Sequence, residues 1–303
     1  MIKELISICI CTYKRQSLLD TLNSIESQVI ANKLQLELCI VDNDSKGSSL
    51  PIVESFRRRS KLTIHHKIEP RQGLSFARNA TLKQASGKWL AFIDDDEVAA
   101  TDWISKLYSS AISYDADVII GRVKTIYPKS TPVWLLKGDF FGRTFPKTGC
   151  SLEVAGIGNA LIKRSSLPVD MLFDTRFNQT GGEDTDLLYR MTLANKKIIA
   201  CREACVSETV EEHRLNKDFL LKKALGVGET YQLIIVNRKN PLIRCGYLMR
   251  SFLQWFLASG VSLLTRPFDK INSIRFEIKA NANKGKVLAF FVGEATKLYT
   301  EKK

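Results

Sequence analysis

Apolar runs alternate with runs of helical periodicity over residues 5–93, and this alternation restricts the fold more than any other feature. The predicted strands are 5–11, 36–41, 62–66 and 89–93, and the predicted helices are 18–29, 52–59 and 73–85. The first strand is apolar and rich in Ile, as expected for a strand covered on both faces. Three strand-then-helix units in succession predict an α/β fold with an open, mostly parallel sheet.

The ends of these strands carry polar residues. Thr12, Asp42 and Asp94 each follow a predicted strand. In open sheets of this class, ligands bind beyond the carboxyl ends of the strands. Neither a GxGxxG nor a GxxxxGK loop follows the first strand, so the phosphates of a nucleotide would need a different holder.

The stretch WLAFIDDDE at 89–97 places four acidic residues directly after a buried strand. Consecutive carboxylates repel one another, and burying one without compensation costs free energy, so a cation is expected beside them. Hard cations such as Mg2+ or Mn2+ take oxygen ligands from carboxylates and from substrate phosphates. The alternative is a solvated turn that caps a helix beginning near Thr101 or Asp102.

Composition limits the class of protein. With 303 residues and 45% hydrophobic content, the chain can bury a large core, and its formal net charge of +13 favours anionic partners. The basic residues are scattered and no nucleic-acid-binding motif is present, so no nucleic-acid partner is expected. The seven cysteines are irregularly spaced, which is typical of reduced thiols in a cytosolic protein rather than of a zinc site.

Four segments together resemble one family. ISICICTYKR, CIVDNDS, EPRQGLSFARNATLKQASGKWLAFIDDDE and GGEDTDLLYRM look like the family 2 glycosyltransferases with the GT-A fold, in the branch that builds bacterial surface polysaccharides. The resemblance covers roughly residues 4–215. It implies an open mixed sheet flanked by helices in a catalytic domain at 1–220, with a nucleotide-binding half at 1–97 and an acceptor half at 98–220. Residues 221–303 would form a helical C-terminal region.

The resemblance also implies a nucleotide-sugar site with a bound Mn2+ or Mg2+. The residues expected to contact the nucleotide are Thr12, Tyr13, Arg15, Asp42, Arg78, Asp94, Asp95 and Arg214. Asp42 would bind uracil. Asp94 and Asp96 match the DxD motif of the family, in which Asp96 would ligate the metal directly and Asp94 would reach the ribose or the metal.

The second acidic segment, GGEDTD at 181–186, supplies a candidate base. An inverting transfer needs a carboxylate that deprotonates the acceptor hydroxyl, and Asp184 matches the base of the family. Glu183 and Gly182 are expected to contact substrate, and so is Asn159 in the segment VAGIGNALIKRSSL. From the residues alone, GGED is also a helix start with its acids near the positive end of the dipole, which does not exclude a base. Gly156, Gly158 and Asn159 either line the sugar site or belong to a strand with a bulge, and the residues favour neither.

One position departs from the family pattern. Where relatives often carry a metal-binding His followed by an Arg, this chain reads VSETVEEHR. Direct alignment places Glu208 in the His position and Arg214 on the Arg, while His213 is displaced. Either Glu208 or His213 is therefore the third protein ligand of the metal, and an ordinary surface role for His213 remains open.

The C-terminal region has a different character. Residues 247–264 are the most apolar part of the chain, but Arg250 and Gln254 interrupt them. The uninterrupted apolar part is therefore too short for a membrane span. With Lys and Arg on both sides, these residues predict an amphipathic helix lying on an anionic membrane, or helices packed on the catalytic domain. A short final helix and a basic tail are expected after them.

The sequence thus predicts a metal-dependent, inverting glycosyltransferase. Its donor would be a UDP-sugar and its acceptor a saccharide or lipid-linked saccharide, in the synthesis of a bacterial surface polysaccharide such as lipopolysaccharide or capsule. It would be cytoplasmic, peripheral on the inner face of the cell membrane. The alternative is a sugar-nucleotide-binding scaffold or a nucleotidyltransferase without glycosyl transfer, neither of which requires Asp184.

Overall fold

A computed structural model describes residues 3–167 and 173–295 of the chain. Its strands are β1 (Glu4–Thr12), β2 (Leu34–Asp42), β3 (Thr63–Ile68), β4 (Trp89–Ile93), β5 (Glu97–Ala99), β6 (Val118–Ile126), β7 (Asn159–Lys163) and β8 (Ile198–Thr209). Its helices are α1 (Leu18–Glu26), α2 (Leu50–Arg57), α3 (Leu74–Gln84), α4 (Trp103–Ser113), α5 (Val133–Gly138), α6 (Glu183–Leu193), α7 (Lys217–Ile234), α8 (Pro241–Thr265) and α9 (Lys270–Val292). Every element predicted between residues 5 and 93 is present, with small differences at the ends.

The strands form one mixed sheet in the order β3-β2-β1-β4-β7-β6-β8-β5. Strands β3, β2, β1 and β4 run parallel, as the strand-helix alternation predicts. Strand β7 is antiparallel to both β4 and β6, while β8 is parallel to β6 and antiparallel to β5. The predicted open mixed sheet flanked by helices is confirmed.

The core lies on both faces of the sheet. Ile6, Ile8 and Ile10 of β1 join one buried cluster, to which α1, α2 and α4 contribute apolar side chains. Cys9 lies between them in sequence and joins a second cluster with residues of α6. Because successive side chains of a strand point to opposite faces, a mostly apolar run such as this one fits a strand covered on both sides.

The chain divides into two compact units. The sheet unit comprises Met1–Ile126, Arg143–Asn178 and Glu183–Thr209. The helical unit comprises Tyr127–Gly142, Gln179–Gly182 and Val210–Lys303. The predicted domain limits at 97 and 220 remain predictions.

In the helical unit, α7 and α9 pack directly on each other. A Cβ atom at Gly228 of α7 would lie 1.9 Å from the carbonyl oxygen of Ala282, and one at Gly285 of α9 would lie 2.2 Å from that of Leu225. The two backbones therefore touch where only glycine leaves room. Helix α9 has 23 residues, so the prediction of a short final helix was wrong. Part of the predicted basic tail lies outside the described residues.

Helix α8 is a single element of 25 residues that covers the whole apolar stretch predicted at 247–264. Among the described residues, no helix combines the length and the apolar character needed to cross a membrane.

Candidate active site

The ends of the parallel strands bring the first set of predicted residues to one edge of the sheet unit. Thr12 and Asp42 are partners in the register of β1 and β2. Strand β4 pairs with β1 on its other side and ends at Ile93, so Asp94 begins the next loop beside them. The predicted convergence of these three positions is therefore seen in the structure.

The acidic run turns tightly between β4 and β5. The amide of Glu97 donates to the carbonyl oxygen of Asp94 at 3.2 Å, and the amide of Asp94 donates to the Glu97 carboxylate at 3.1 Å. Asp95 and Glu97 are buried, and β5 separates the run from the helix that begins at Trp103. The alternative of a solvated capping turn is thus wrong, because Asp95 and Glu97 are buried and β5 lies between the run and the helix.

The three aspartates of this turn point to different partners. Asp94 lies 3.6 Å from a guanidinium nitrogen of Arg78, whereas Arg15 lies 3.8 Å from Asp95 and 3.5 Å from Asp96. Burial raises the pKa of Asp95 to about 7 against the opposing effects of the Thr12 hydroxyl and Arg15. Half of the Asp94 side chain faces solvent, and the surrounding protein together with the charges of Asp96 and Asp184 raises its pKa against the pull of Arg78.

Arg78 connects the acidic run to the second acidic segment. Its side chain, on α3, is buried and forms an ion pair with Glu183 as well as with Asp94. Burial alone would lower the pKa of Arg78, but the charges of Glu183, Asp94 and Asp184 raise it. Burial raises the pKa of Glu183 to about 7, with Asp184 adding to the shift and Arg78 opposing it. One buried cation thus joins two carboxylates that are 89 positions apart (94 and 183) in the chain.

Asp184 occupies the first turn of α6, next to Glu183. Its carboxylate accepts a hydrogen bond from the amide of Thr185 at 2.6 Å and is only partly buried. The helix start predicted for GGED is therefore confirmed. The same geometry leaves the Asp184 carboxylate near the positive end of the helix dipole and partly open to a ligand.

Two glycines pass beside the carboxylates of both segments. A Cβ atom at Gly156 would lie 3.2 Å from Oδ2 of Asp184, and one at Gly158 would lie 2.6 Å from Oδ2 of Asp94. The segment 156–158 therefore runs close to both acids. The sequence singled out these glycines without distinguishing a sugar site from a bulged strand, and only their contacts show which carboxylates they approach.

A further pair of acids extends the cluster across the sheet. Glu97 and Glu208 are partners in the antiparallel register of β5 and β8. Burial raises the pKa of Glu97 well above its usual range, and the charges of Asp94 and Glu208 add to the shift. Arg143 lies 3.4 Å from the Glu208 carboxylate. Glu208 is therefore part of the same electrostatic cluster as Asp94, whereas Glu97 is a member that sequence reasoning gave no role.

Two residues that were predicted to contact ligands form hydrogen bonds within the protein through their side chains. Asp42 is fully buried, and its two carboxylate oxygens accept hydrogen bonds from the amides of Asp44 and Ser49 at 2.9 and 2.7 Å. Asn159 accepts from the Trp103 indole at 2.8 Å and donates to the carbonyl oxygens of Arg122 and Ala204 at 3.0 Å. In this structure both stabilise the fold around the cluster, and their expected contacts with uracil and substrate remain predictions.

The loop after β3 is tied to the end of β2 by Asn43. The Asn43 amide donates to the carbonyl oxygens of Glu69 and Arg71, and its oxygen accepts from the amide of Gly73. The exposed Tyr13 approaches the same loop, because its hydroxyl accepts from Gln72 at 3.2 Å. Asn43 lies in the quoted CIVDNDS motif, but only the structure shows that it holds this loop beside Tyr13.

The remaining predicted residues belong to the helical unit. Gly182 has a φ of +101°, and a Cβ atom there would lie 2.5 Å from Thr230. Arg214 and His213 both pair with Glu211, at 3.0 and 3.1 Å, and His213 is largely exposed. Their expected roles toward nucleotide, substrate and metal remain predictions.

The donor set of the acidic cluster fits a hard divalent cation. Burial raises the pKa values of Asp94 and Glu97, and repulsion from neighbouring carboxylates adds to the shift. A cation would relieve that repulsion. Within residues 3–167 and 173–295, no three acidic, His or Cys side chains are arranged to hold a metal ion by themselves. Mg2+ and its analogues are commonly held by one or two carboxylates together with substrate phosphates, so a complete protein cage is not required.

Comparison with known proteins gives the class and the family. The solved structure of the mannosyltransferase PcManGT from Pyrobaculum calidifontis in complex with GDP-Man and Mn2+ has a TM-score of 0.64 at 15% identity, and the match covers 95% of this chain and 88% of that one. S. aureus TarS 1-349 in complex with UDP-GlcNAc has a TM-score of 0.54 at 16% identity, covering 95% and 92%. The fold is therefore that of the GT-A glycosyltransferases.

The family follows from sequence. The model of glycosyl transferase family 2 matches residues 7–168. The chain is 30% identical over 238 residues to the succinoglycan biosynthesis protein ExoM of Rhizobium meliloti (strain 1021), covering 78% of this chain and 77% of ExoM. This chain belongs to glycosyl transferase family 2 and is a glycosyltransferase. The resemblance is confirmed, and a scaffold or nucleotidyltransferase without glycosyl transfer is no longer supported.

Proposed function

We propose that this enzyme is a metal-dependent, inverting glycosyltransferase that moves a sugar from a UDP-sugar to a saccharide or lipid-linked saccharide during synthesis of a bacterial surface polysaccharide. The observation that carries this proposal is the meeting of Asp94 and Asp184 around the glycine segment 156–158, with Arg78 bound to Asp94 and to Glu183. A donor-phosphate site and a base are thus within one cluster.

Asp184 is the base in this proposal. Its partly open carboxylate takes the proton from the acceptor hydroxyl as that oxygen attacks the sugar on the face opposite the nucleotide. Arg78 holds Glu183 at the start of α6, which fixes the backbone that carries Asp184. A side chain at position 156 would begin 3.2 Å from Asp184 Oδ2, so the glycine there keeps that oxygen uncovered on this side.

Asp96, Asp94 and Glu208 are the residues proposed to hold Mn2+ or Mg2+. The cation, when bound, neutralises charge that develops on the departing nucleoside diphosphate. Arg15 contributes a second positive group on the same side, because it lies within 4 Å of both Asp95 and Asp96. His213 is not preferred as a ligand because it is largely exposed and pairs with Glu211.

The nucleotide and acceptor are assigned by similarity and chemistry. The TarS structure contains UDP-GlcNAc, whereas PcManGT contains GDP-Man, and the motif resemblance favours UDP through Asp42. ExoM is named for the biosynthesis of succinoglycan, which supports a growing saccharide as acceptor. We propose that this acceptor is carried on a lipid and that the enzyme works at the cytoplasmic face of the cell membrane.

The direct test is hydrolysis of a panel of UDP-, GDP- and dTDP-sugars by the intact chain, with Mn2+ or with chelator. One UDP-sugar should be hydrolysed in preference to the others, and only with metal. Asp96→Ala should lose the Mn2+-dependent part of UDP affinity in calorimetry, by about tenfold or more, because a direct ligand is removed. The control is Asp20→Asn, an exposed acid on α1. Unchanged UDP affinity in Asp96→Ala would refute the metal assignment, and preference for a GDP-sugar would refute the donor.

A further inference from the structure

Helix α8 exposes large apolar side chains along most of its length. We use the term α8 stripe for eight exposed residues of this helix: Leu242, Met249, Phe252, Leu253, Phe256, Leu257, Leu263 and Leu264. The spacing of three and four residues places them on one side of the helix. Phe268, just beyond the helix, is 89% exposed. Exposed apolar surface that continues over several turns marks an interaction site.

The fully buried positions of α8 lie on the side opposite the stripe and are small. Ser251, Ala258 and Ser262 are these positions. Ser262 and Ser273 of α9 exchange hydrogen bonds, each hydroxyl donating to the carbonyl oxygen of the other at 2.9 to 3.0 Å. The fully buried positions of α8 are therefore small, whereas Leu248 and Trp255 are half-buried and the side chains of the α8 stripe are left outward. This is the reverse of an ordinary surface helix, in which the apolar side is buried.

Basic residues predominate around the stripe, and Asp269 is the one acidic residue in the sequence from 238 to 276. Helix α8 contains Arg244 and Arg250 and no acidic residue. Arg238 and Lys239 precede the helix, and Arg266 follows it. The surface that carries the stripe is therefore cationic at both ends and in the middle.

We propose that α8 lies in the plane of an anionic lipid surface, with the α8 stripe inserted at the boundary between headgroups and acyl chains and the arginines and lysines among the headgroups. Apolar burial and attraction to anionic lipid add together in such helices. Crossing the bilayer is not required, since α8 is not apolar enough to span it. A second copy of the chain fits less well, because two facing α8 helices would bring arginines together without any carboxylate from α8 to neutralise them.

This inference deepens the proposed use of a lipid-linked acceptor and rests on that proposal only for its purpose in the cell. The binding itself involves the helical unit and can be measured without donor or acceptor. Its failure and the failure of the proposed reaction are therefore distinguishable.

The test is sedimentation of the intact chain with vesicles of phosphatidylglycerol and phosphatidylcholine, compared with vesicles of phosphatidylcholine alone. Binding should require the anionic lipid and weaken as salt screens the headgroups. The double variant Leu253→Ser/Phe256→Ser should lower vesicle affinity by about tenfold or more. The matched control Val29→Ser/Leu193→Ser changes residues of the sheet unit with similar exposure, 70% and 57% against 57% for Leu253 and 74% for Phe256, and should bind like the wild type.

A second double variant tests the contribution of the positive charges. Arg250→Gln/Arg266→Gln should weaken binding by about fivefold or more and flatten its salt dependence, whereas the control Arg58→Gln/Lys61→Gln should do neither. An intact chain that stays in the supernatant with anionic vesicles at low salt overturns the inference. So does a dimer in analytical ultracentrifugation that the stripe variant dissociates, because the stripe would then be covered by a second copy. Sugar transfer to a water-soluble acceptor, measured in parallel, shows whether the reaction survives independently.

Discussion

At the ends of β1 and β4, charged side chains such as Arg78, Glu183 and Asp95 are buried, whereas on α8 large apolar side chains such as Phe256 are left in solvent. Both arrangements cost free energy in the isolated chain. Burying carboxylates close together raises their pKa values, and exposing apolar surface loses the gain from removing it from water. The two regions depart from the ordinary distribution of side chains in opposite directions.

The difference indicates what each region binds. Carboxylates that repel one another are relieved by a cation with its phosphates, so the cluster selects a polar, charged ligand of defined geometry. The α8 stripe and its basic neighbours bind any apolar layer bordered by negative charge. An anionic lipid bilayer provides both through its acyl chains and headgroups, without a specific fit. The two regions should therefore respond independently to substitution.

The largest expected effect is a loss of sugar transfer without a loss of vesicle binding. Asp184→Asn keeps the shape of the side chain but removes the proton acceptor, so turnover should fall by about a hundredfold or more while UDP affinity stays close to normal. Vesicle binding should be unchanged, because it belongs to α8. Steady-state transfer assays, UDP calorimetry and vesicle sedimentation measure the three quantities. A variant that retains most of its transfer rate would place the base elsewhere.

A smaller effect is expected at the glycine that approaches Asp94. In Gly158→Ala, the new Cβ would lie 2.6 Å from Asp94 Oδ2, so the carboxylate has to move. Transfer should fall by about tenfold, because displacing a positioned group by a fraction of an ångström is costly to turnover. The thermal midpoint should change little, since the contact is with the end of a side chain.

The control for that substitution comes from α8. A Cβ at Gly260 meets nothing within 4 Å, so Gly260→Ala should leave transfer unchanged. Equal activity of Gly158→Ala and Gly260→Ala would show that Asp94 tolerates displacement, which would argue against a direct role for its carboxylate.

The last prediction concerns the pH dependence of stability rather than transfer. Burial raises the pKa of Asp95 to about 7 in the folded chain, against about 3.9 for an unfolded Asp. The folded state therefore binds this proton more tightly, and the stabilisation is complete below about pH 4 and is lost as pH rises toward 7. Vesicle binding should be nearly constant over the same range, because the arginines around the stripe do not titrate there.

Thermal unfolding of the wild type and of Asp95→Asn, at several pH values and without metal, tests this. The thermal midpoint of the wild type should fall relative to that of the variant as pH increases from about 4 to 7. Parallel curves for the two proteins would mean that Asp95 does not hold its proton in the fold. Addition of Mn2+ and UDP at pH 7 should stabilise the wild type, because the cation relieves repulsion within the cluster.

Much of the fold and part of the site were predictable because their signals are local. Strands β1, β2 and β4 are short apolar runs, and parallel strands necessarily bring their carboxyl ends to one edge. The positions of Thr12, Asp42 and Asp94 therefore followed from the pattern alone. The motifs also gave the family, and the helix start at Glu183 followed from the glycines before it and the acids of its first turn.

The contacts that define the cluster were not predictable from any local pattern. Arg78 was expected near the nucleotide, and the structure pairs it with Glu183, 105 positions away. Asn159 was expected at the substrate, but Trp103 and two backbone carbonyls take its hydrogen bonds. Which partner a polar side chain finds depends on the elements that pack around it, and spacing along the chain does not record them.

For α8, the sequence by itself determined an interrupted apolar stretch with arginines and lysines around it, and hence a helix with too many polar residues to span a bilayer. Only the tertiary structure decided which side of that helix is buried. Ser251, Ala258 and Ser262 allow close packing on α9, so the small side faces inward and the stripe faces solvent. Composition gives the amount of apolar surface in a helix, but the shape of the neighbouring helix determines how much of that surface stays exposed.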